Sequence, residues 1–437
     1  MDLSSVSPHT SLRAETTGIG SLLTTLRNHS STPETLVPNS SEFEDANRDI
    51  TRPLNRKEKR ALLKLSRQEE TVTAKERVVP EFTPIPTNLL LRFSDEASYQ
   101  NYTATFGYQS SRHNNFVQMV FQNKNSTCTV TGAQDRIIRA YRMENDEIRL
   151  DWKRNTGGLI LDMCWEKSSG NLFSTSKYRP IQLFDEKKGE LLQSYAGKDS
   201  GDNVKEALSI GQVQNSLIGG FKGHFQIWDV SIGGKSSSTL KYFDSNYNTG
   251  ITGHSMSVCS HPTMSDLFAS AGTSSRVAIY SLNWKSAVST MEGSSRGYTH
   301  VSVSQDGTKV YASERTGDIH CFDTRMNTLI QVLKREMQTA HRTRFEIEET
   351  GRFLFSGTSS GDVVVYNLNT YEEETQPVFH VSVSSSCVPC VSIKNKQLAV
   401  CTGQRWFYDN SSSSENESNE TEKQESIRNS FQLFEVG

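Results

Sequence analysis

The sequence has few apolar residues for its length and no long apolar run. Hydrophobic residues make up 34% of the 437 residues, and the mean hydropathy is −0.56. A membrane span needs about 20 consecutive apolar residues, and the N-terminus lacks the apolar region of a signal peptide. We therefore expect a soluble, intracellular protein, part of which does not fold.

The chain also lacks a strong excess of one charge. Its formal net charge is −3, so the protein as a whole has no attraction for nucleic acid. Any such attraction must come from a local cluster of cations.

Cysteines are few and do not form a metal-binding pattern. The seven cysteines, an odd number, are spread through predicted strands, which is typical of small buried side chains in a reducing compartment. Cys387 and Cys390 have the spacing of a zinc-binding pair, but no second pair follows, and Cys401 is the other nearby sulfur. The spacing therefore disfavours a metal site, and we expect no cofactor.

The sequence has no pattern typical of catalysis. Its Ser, His and Asp residues do not form a recognisable nucleophile arrangement, and no glycine-rich phosphate loop precedes a helix. Adjacent carboxylates such as Glu348 and Glu349 lie in a predicted polar turn. These absences favour a binding protein over an enzyme.

The sequence contains one pattern six times. The pattern is a polar turn followed by a strand of alternating apolar and polar residues, which ends on an aromatic and a polar residue. The six aromatics are Tyr141, Phe184, Trp228, Tyr280, Phe322 and Tyr366. They follow one another at intervals of 42 to 52 residues, the period of a four-stranded WD40-type blade. A strand of alternating apolar and polar residues needs a partner against which to bury its apolar face, and a closed ring of blades supplies that partner.

The pattern therefore predicts an all-β, seven-bladed WD40-type β-propeller within residues 111–437. The blades are predicted at about 114–143, 158–187, 204–232, 250–283, 298–326, 341–370 and 387–408. Turns between the first two strands are predicted at Ser169-Gly170, Asp306-Gly307 and Thr350-Gly351. The seventh blade is interrupted at 409–429 by an acidic insert, which we predict to be disordered. The chain then returns at 430–436 as an alternating strand that completes the blade.

The region before the propeller has a different composition. Residues 1–80 are predicted to be disordered, with a basic helix candidate at 52–77. That helix is either a solvated helix or a nuclear-import or RNA-contacting arm. Residues 81–110 are a proline-containing linker and closing-strand segment, in which either 88–93 or 102–106 supplies the strand that closes the ring.

Cations recur in the turns between the second and third strands, which a propeller places on one rim. Aromatic and histidine side chains lie among or beside them. The candidate RNA-binding residues are Arg136, Lys177, Tyr178, Arg179, Phe221, Lys222, Arg276, His300, Arg315, Gln404, Arg405 and Trp406, with His341 on an adjacent inner strand. Cations that neutralise phosphates, next to rings that stack on unpaired bases, suit single-stranded RNA. A cation in this turn can instead pair with the neighbouring blade, and this alternative stays open.

Several segments of the propeller resemble the telomerase Cajal body protein family, WD40 proteins of small Cajal-body ribonucleoproteins. These segments are 130–141, 161–165, 179–191, 344–361 and 398–407. The resemblance runs from about Phe116 to the end and includes Gly403-Gln404-Arg405, the acidic insert and the closing strand. The sequence departs from the family at Gly293-Ser294, where Gly-His is expected, and in its short N-terminal region.

The resemblance implies a nuclear protein of the Cajal body, also present in the cytoplasm. It implies recognition of box H/ACA small Cajal-body RNAs and, where present, telomerase RNA, to direct the localisation or assembly of these particles. Candidate partners by the same likeness are the H/ACA core proteins, the survival-of-motor-neuron complex and a chaperonin. We expect a monomer that does not bind a membrane.

Two other functions are compatible with the same fold. One is a protein-interaction scaffold whose cationic rim binds an acidic peptide. The other is a substrate receptor of a cullin ubiquitin ligase, because Phe322-Asp-Thr-Arg325 resembles the Trp-Asp-x-Arg box with which such receptors dock.

Overall fold

The structure is a computed structural model that describes residues 116–403, except 145–146, 200, 294–295, 338–341 and 371, together with residues 429–436. The predictions for 1–110 and for the acidic insert up to residue 428 lie outside the described residues. Every regular element in the described part is a β-strand. The chain folds into a seven-bladed β-propeller, which confirms the predicted fold class.

Six blades contain four main strands and the seventh has three in the described part. Blade 1 comprises β1 (Val117–Gln122), β2 (Cys128–Ala133), β3 (Ile137–Glu144) and β4 (Glu147–Asn155). Blade 2 comprises β5 (Ile160–Trp165), β6 (Leu172–Ser176), β7 (Ile181–Phe184) and β8 (Leu191–Lys198), and β9 (Val204–Lys205) pairs with β8. Blade 3 comprises β10 (Ser209–Val213), β11 (Ser216–Gly220), β12 (His224–Asp229) and β14 (Ser238–Lys241).

The remaining blades follow the same order. Blade 4 comprises β17 (Ser255–Ser260), β18 (Leu267–Gly272), β19 (Arg276–Ser281) and β20 (Ser286–Glu292), and is preceded by the hairpin β15 (Phe243–Asp244) and β16 (Thr249–Gly250). Blade 5 comprises β21 (Tyr298–Val303), β22 (Lys309–Glu314), β23 (Ile319–Asp323) and β24 (Thr328–Leu333). Blade 6 comprises β25 (Phe345–Ile347), β26 (Phe353–Gly357), β27 (Asp362–Asn367) and β29 (Phe379–Ser382). Blade 7 comprises β30 (Cys390–Lys394), β31 (Gln397–Thr402) and β32 (Ser430–Glu435).

Two short strands link neighbouring blades at the periphery. Between the third and fourth strands of blade 3, β13 (Gly234–Lys235) pairs in parallel with β8 of blade 2. In blade 6, β28 (Glu374–Thr375) pairs in the same way with β24 of blade 5. The outer strand of one blade is therefore covered in part by the next blade, which shields an exposed sheet edge.

The repeated aromatic explains why the blades stack. The core consists of seven apolar clusters, each formed by two adjacent blades. In each cluster the aromatic of the third strand points toward the preceding blade, and the six predicted aromatics are at most 3% exposed. Phe434 of β32 occupies this position in blade 7, packed in the cluster shared with blade 6. The pattern thus occurs seven times, and the insert separates the last copy from the others.

The ring closes between blade 7 and blade 1. Cys390 Sγ donates to the Val120 carbonyl at 3.4 Å. The main-chain N–H of Gln122 donates to Ser392 Oγ at 3.2 Å. Tyr141 packs on Phe431 with 5.1 Å between ring centroids. The prediction that the segment after the insert completes the last blade is confirmed, since β32 pairs with β31 along its whole length.

The predicted turns between first and second strands are confirmed. Gly170, Gly307 and Gly351 each have a positive φ, between 71° and 77°. At Gly307 a β-carbon would also lie 2.3 Å from His261 Cε1, so both the backbone and the neighbouring blade require glycine there.

A buried ion pair joins opposite sides of the ring. Arg344 precedes β25 of blade 6, and its Nη2 lies 2.6 Å from Asp162 Oδ1 on β5 of blade 2. The same carboxylate accepts the amide of Met163 at 2.9 Å and that of Ile210 at 2.9 Å. The Arg344 guanidinium also lies over the ring of Phe121, 5.3 Å from its centroid. This pair crosses the central channel and narrows it.

We predict that Phe434→Ala lowers the free energy of unfolding by about 3 to 5 kcal/mol, because it empties an aromatic site between two blades. Urea unfolding followed by circular dichroism measures the change. Trp284→Ala is the control, since Trp284 is 74% exposed and its loss should change stability by less than about 0.5 kcal/mol. Equal effects of the two substitutions would contradict the assignment of Phe434 to the repeat.

We also predict strong coupling between Asp162 and Arg344. Arg344→Met leaves a buried carboxylate unpaired and should cost about 3 to 5 kcal/mol. The double variant Asp162→Asn/Arg344→Met should be more stable than the sum of the two single changes predicts, by about 1 to 3 kcal/mol. A double-mutant cycle in urea measures this difference, and simple additivity would show that the pair does not interact across the channel.

Candidate nucleic-acid interface

The predicted cations lie on one face of the ring, which we call the top face. It is formed by the turns between second and third strands and by the connections that enter each inner strand. Backbone hydrogen bonds join these turns to the connections. The Lys177 main-chain amide donates to the Leu159 carbonyl at 2.8 Å, and the Arg315 main-chain amide donates to the Gly297 carbonyl at 3.1 Å. The topology therefore brings these turns together around the channel, as the sequence predicts.

The turn between β6 and β7 presents three exposed side chains. Lys177, Tyr178 and Arg179 are all exposed, and the Tyr178 side chain is 72% exposed. Tyr178 has a φ of 61°, which projects its ring from the tip of the turn at some cost in backbone strain. Lys177 Nζ lies 4.9 Å from the ring centroid. An aromatic face with a cation on either side in sequence is a platform on which an unpaired base can stack beside its phosphate.

Three further cations lie in equivalent turns. Lys222 and Arg315 are exposed, and Arg136 is half-buried with a φ of 66°. Lys222 forms a β-bridge with His254, which precedes the inner strand of blade 4. The Arg136 carbonyl accepts the Thr156 amide at 2.9 Å. These contacts fix the backbone of each turn against the adjoining connection.

Arg276 does not contribute a free charge. Its Nε lies 2.6 Å from Glu292 Oε1, its Nη1 donates to Asn248 Oδ1 at 3.1 Å, and the guanidinium lies 5.6 Å from the centroid of the Phe243 ring. The alternative weighed from the sequence, pairing with nearby structure, applies here. We therefore remove Arg276 from the candidate site.

The prediction that Phe221 stacks on bases is wrong. Phe221 is 4% exposed and belongs to the cluster between blades 2 and 3. Its ring stacks on His224 at 5.6 Å and packs beside Trp228 at 6.1 Å. The residue follows β11 directly, and its side chain points into the core rather than out of the turn, which periodicity could not show at the end of a strand.

His300 lies in an inner strand and contacts protein on both ring nitrogens. Nδ1 is 3.2 Å from Ser257 Oγ, and Nε2 is 3.1 Å from the Phe345 carbonyl. Burial, followed by the charges of Arg344 and Arg342, holds the pKa of His300 well below its ordinary value. His300 is therefore a neutral linker between three inner strands and supplies no charge to the top face.

The remaining candidates, Gln404, Arg405, Trp406 and His341, lie outside the described residues and stay predictions. In the described part of the chain, no group of three or more His, Cys, Asp or Glu side chains is arranged to hold a metal ion. The same part contains no helix long and apolar enough to cross a membrane.

Sequence reasoning missed two arginines at the top of the channel. Arg342 and Arg344 flank Thr343 immediately before inner strand β25. Arg342 Nη1 donates to the Leu161 carbonyl at 3.1 Å, and its Nε donates to the Thr299 carbonyl at 3.2 Å. A signal was present in the sequence: two cations precede a buried strand, and Asp162 interrupts the apolar strand 161–165.

Curated proteins named Telomerase Cajal body protein 1 are similar to this chain. The protein from Mus musculus is 24% identical over 325 residues, which cover 68% of this chain and 60% of the relative. The protein from Homo sapiens is 24% identical over 324 residues, which cover 68% of this chain and 59% of the relative. The chain thus spans about 60% of the length of these relatives. The resemblance stated from the sequence is confirmed.

A second kind of protein is similar over a shorter stretch. A guanine nucleotide-binding protein subunit beta from Oryza sativa subsp. indica is 25% identical over 185 residues, 40% of this chain and 47% of the relative. No family model matches the chain. Both similarities agree with the WD40-type propeller.

We predict that His300 makes stability depend on pH. The unfolded chain binds a proton at His300 near pH 6.5, whereas the folded protein does not, so stability is lost as the pH falls below that value. Between pH 7.5 and 5.5 the wild type should lose about 1 kcal/mol more than His300→Gln. Urea unfolding of both proteins at the two pH values tests this, and parallel losses would show that His300 accepts a proton in the fold.

Proposed function

We propose that this chain is a member of the telomerase Cajal body protein family and that its top face binds RNA. The similarity to the curated relatives extends over 68% of this chain, and the exposed cations of blades 2, 3 and 5 supply a basic surface on a chain of net charge −3. Phosphate contacts by these cations position the RNA, and stacking on an exposed ring selects unpaired bases.

The observation that carries this proposal is the turn of Lys177, Tyr178 and Arg179. Tyr178 combines an exposed ring at the tip of a strained turn with exposed cations on both sides in sequence, and this combination favours a role in binding. Flanking cations suit a single-stranded or loop RNA rather than a duplex, whose bases are not open for stacking. Gln404, Arg405 and Trp406 extend this surface in the proposal.

The RNAs we propose are box H/ACA small Cajal-body RNAs and, where present, telomerase RNA. The protein would direct the localisation or assembly of these particles in the nucleus, at the Cajal body, and would also be found in the cytoplasm. The H/ACA core proteins, the survival-of-motor-neuron complex and a chaperonin are the proposed partners. The proposed role is non-catalytic.

The test is crosslinking of RNA to the intact protein in cells, recovery under denaturing conditions and sequencing. Lys177→Glu/Arg179→Glu should lose the H/ACA RNAs that the wild type enriches, and so should Arg405→Glu. The matched control is Lys187→Glu/Lys188→Glu, which makes the same change in charge in an exposed turn between β7 and β8 on the opposite face. If all four proteins recover the same background RNA, the proposed function is wrong.

Binding to a recovered RNA in vitro should weaken as salt rises, because phosphate contacts release counterions. The slope of log affinity against log salt should be shallower by about one to two for Lys177→Glu/Arg179→Glu, since two phosphate contacts are removed. The Lys187→Glu/Lys188→Glu control should keep the wild-type slope. Fluorescence anisotropy at four or more salt concentrations measures these slopes.

A second candidate function rests on Arg325. Its side chain is 75% exposed in the turn between β23 and β24, 3.0 Å from Asp323, on the face opposite the top face. This accessibility suits the docking of a ubiquitin-ligase adaptor. Co-purification of the adaptor that is lost in Arg325→Ala would support it, and displacement of a bound partner by an acidic peptide but not by RNA would favour a scaffold instead.

A further inference from the structure

Two arginines, Arg342 and Arg344, lie at the top of the central channel with the Asp162 carboxylate between them, and a third, Arg335, lies farther out between the second strands of blades 5 and 6. Arg335, Arg342 and Arg344 follow or precede strands at the junction of blades 5 and 6. The side chains of Arg342 and Arg344 are 18% and 7% exposed, Arg335 is 6% exposed, and the Asp162 side chain is 3% exposed. Asp162 is fully used by Arg344 and by two backbone amides at 2.9 Å.

Arg335 has only neutral partners for its guanidinium. Nη1 donates to Ser356 Oγ at 2.7 Å, Nη2 to Ser313 Oγ at 2.6 Å and Nε to the Gly317 carbonyl at 2.7 Å. The nearby Asp318 pairs with Lys334 at 3.2 Å. The charge of Arg335 is thus hydrogen-bonded but not neutralised.

Arg342 shares its counter-charge, Asp162, with Arg344, and in the described part of the chain one of its guanidinium nitrogens has no hydrogen-bond acceptor. Its Nε and Nη1 donate to the carbonyls of Thr299 and Leu161, which carry no charge. Its Nη2 lies 3.8 Å from Asp162 Oδ2, beyond hydrogen-bond range, and has no acceptor among the described residues. A buried donor without an acceptor is unusual and points to a missing water or ion.

Electrostatics at this point favour a bound anion. Burial lowers the pKa of Arg342 to about 9 and that of Arg335 to about 10, while a guanidinium still keeps its charge at neutral pH. Arg342 and Arg344 share the single carboxylate of Asp162, at 3.8 Å and 2.6 Å, and a partly buried pair of cations with one counter-charge is costly to maintain. An anion that enters the channel mouth offsets that cost.

The channel mouth is linked directly to the exposed turn of blade 2. The Lys177 amide donates to the carbonyl of Leu159, and Arg342 donates to the carbonyl of Leu161. Both groups are therefore attached to the same three-residue stretch that leads into β5. Arg342 therefore joins the inner strands of blades 2 and 5 at the mouth of the channel.

We propose that the channel mouth binds one phosphate group of the RNA held on the top face, with Arg342 as the contacting residue. The inference rests on the proposed function and adds a specific phosphate site to it. A planar guanidinium with unused donors matches phosphate better than an ammonium does. The site would anchor the strand at the axis of the ring while Tyr178 stacks on a base nearer its rim.

The first experiment measures RNA affinity with the full chain, using an RNA recovered by crosslinking. Arg342→Gln should weaken binding about tenfold and reduce the salt slope by about one. Arg342→Lys should recover part of the affinity because it keeps the charge. Melting curves confirm folding of each variant, and Arg325→Gln, on the opposite face, is the control. Wild-type affinity and slope in a folded Arg342→Gln would overturn the site.

The second experiment needs no variant. Phenylglyoxal modifies a partly buried arginine such as Arg342 more slowly than an exposed one such as Arg325, and peptide mass spectrometry over an extended time course gives the rate of modification at each. We expect the RNA to protect Arg342 at least fivefold and to leave Arg325 unprotected. Equal modification of Arg342 with and without bound RNA would overturn the proposal.

Pyrophosphate at constant ionic strength, set with chloride, separates the sources of the anion. Protection of Arg342 by both RNA and pyrophosphate supports a phosphate site used by RNA. Protection by pyrophosphate in a wild-type protein that binds no RNA would overturn both the RNA assignment and the proposed function. Protection by an acidic peptide but by neither phosphate ligand would overturn the phosphate assignment.

Discussion

The structure depends on one contact repeated around the ring, the aromatic side chain of each third strand packed against the preceding blade. Among residues 116–403 and 429–436, as far as the structure describes them, no blade has a core of its own, because each apolar cluster is shared by two neighbours. Burial of each ring contributes about 2 to 3 kcal/mol, and the contribution is made only when the preceding blade is present. The top face is a product of this arrangement, since its turns are held in place by blades that cannot fold separately.

Much of the fold could be predicted because the residues that define the repeat are close together in sequence. Period, alternating apolar residues and turn glycines all lie within one blade, and each has the same meaning wherever it occurs. The predicted blade ranges accordingly enclose the first three strands almost everywhere. The outer strands have weaker patterns, because one face is open to solvent, and the cross-blade strands β13 and β28 have no pattern of their own at two residues each.

The site was harder to predict because it depends on which way side chains point and on partners far away in sequence. Lys177, Tyr178 and Arg179 are exposed as expected, but Phe221 turns into the core and Arg276 is neutralised by Glu292 at 2.6 Å. The pairing of Arg344 with Asp162 spans 182 residues, a distance at which a single sequence gives no pairing information.

The seam between blade 7 and blade 1 has a kinetic consequence. The hydrogen bond from Gln122 to Ser392 closes a loop of 270 residues, whereas contacts within a blade close loops of a few tens of residues. Loop-closure entropy grows with length, and non-local contacts slow folding. Contacts at the seam therefore cost more chain entropy to form than contacts within a blade, and we expect the seam to form late in folding.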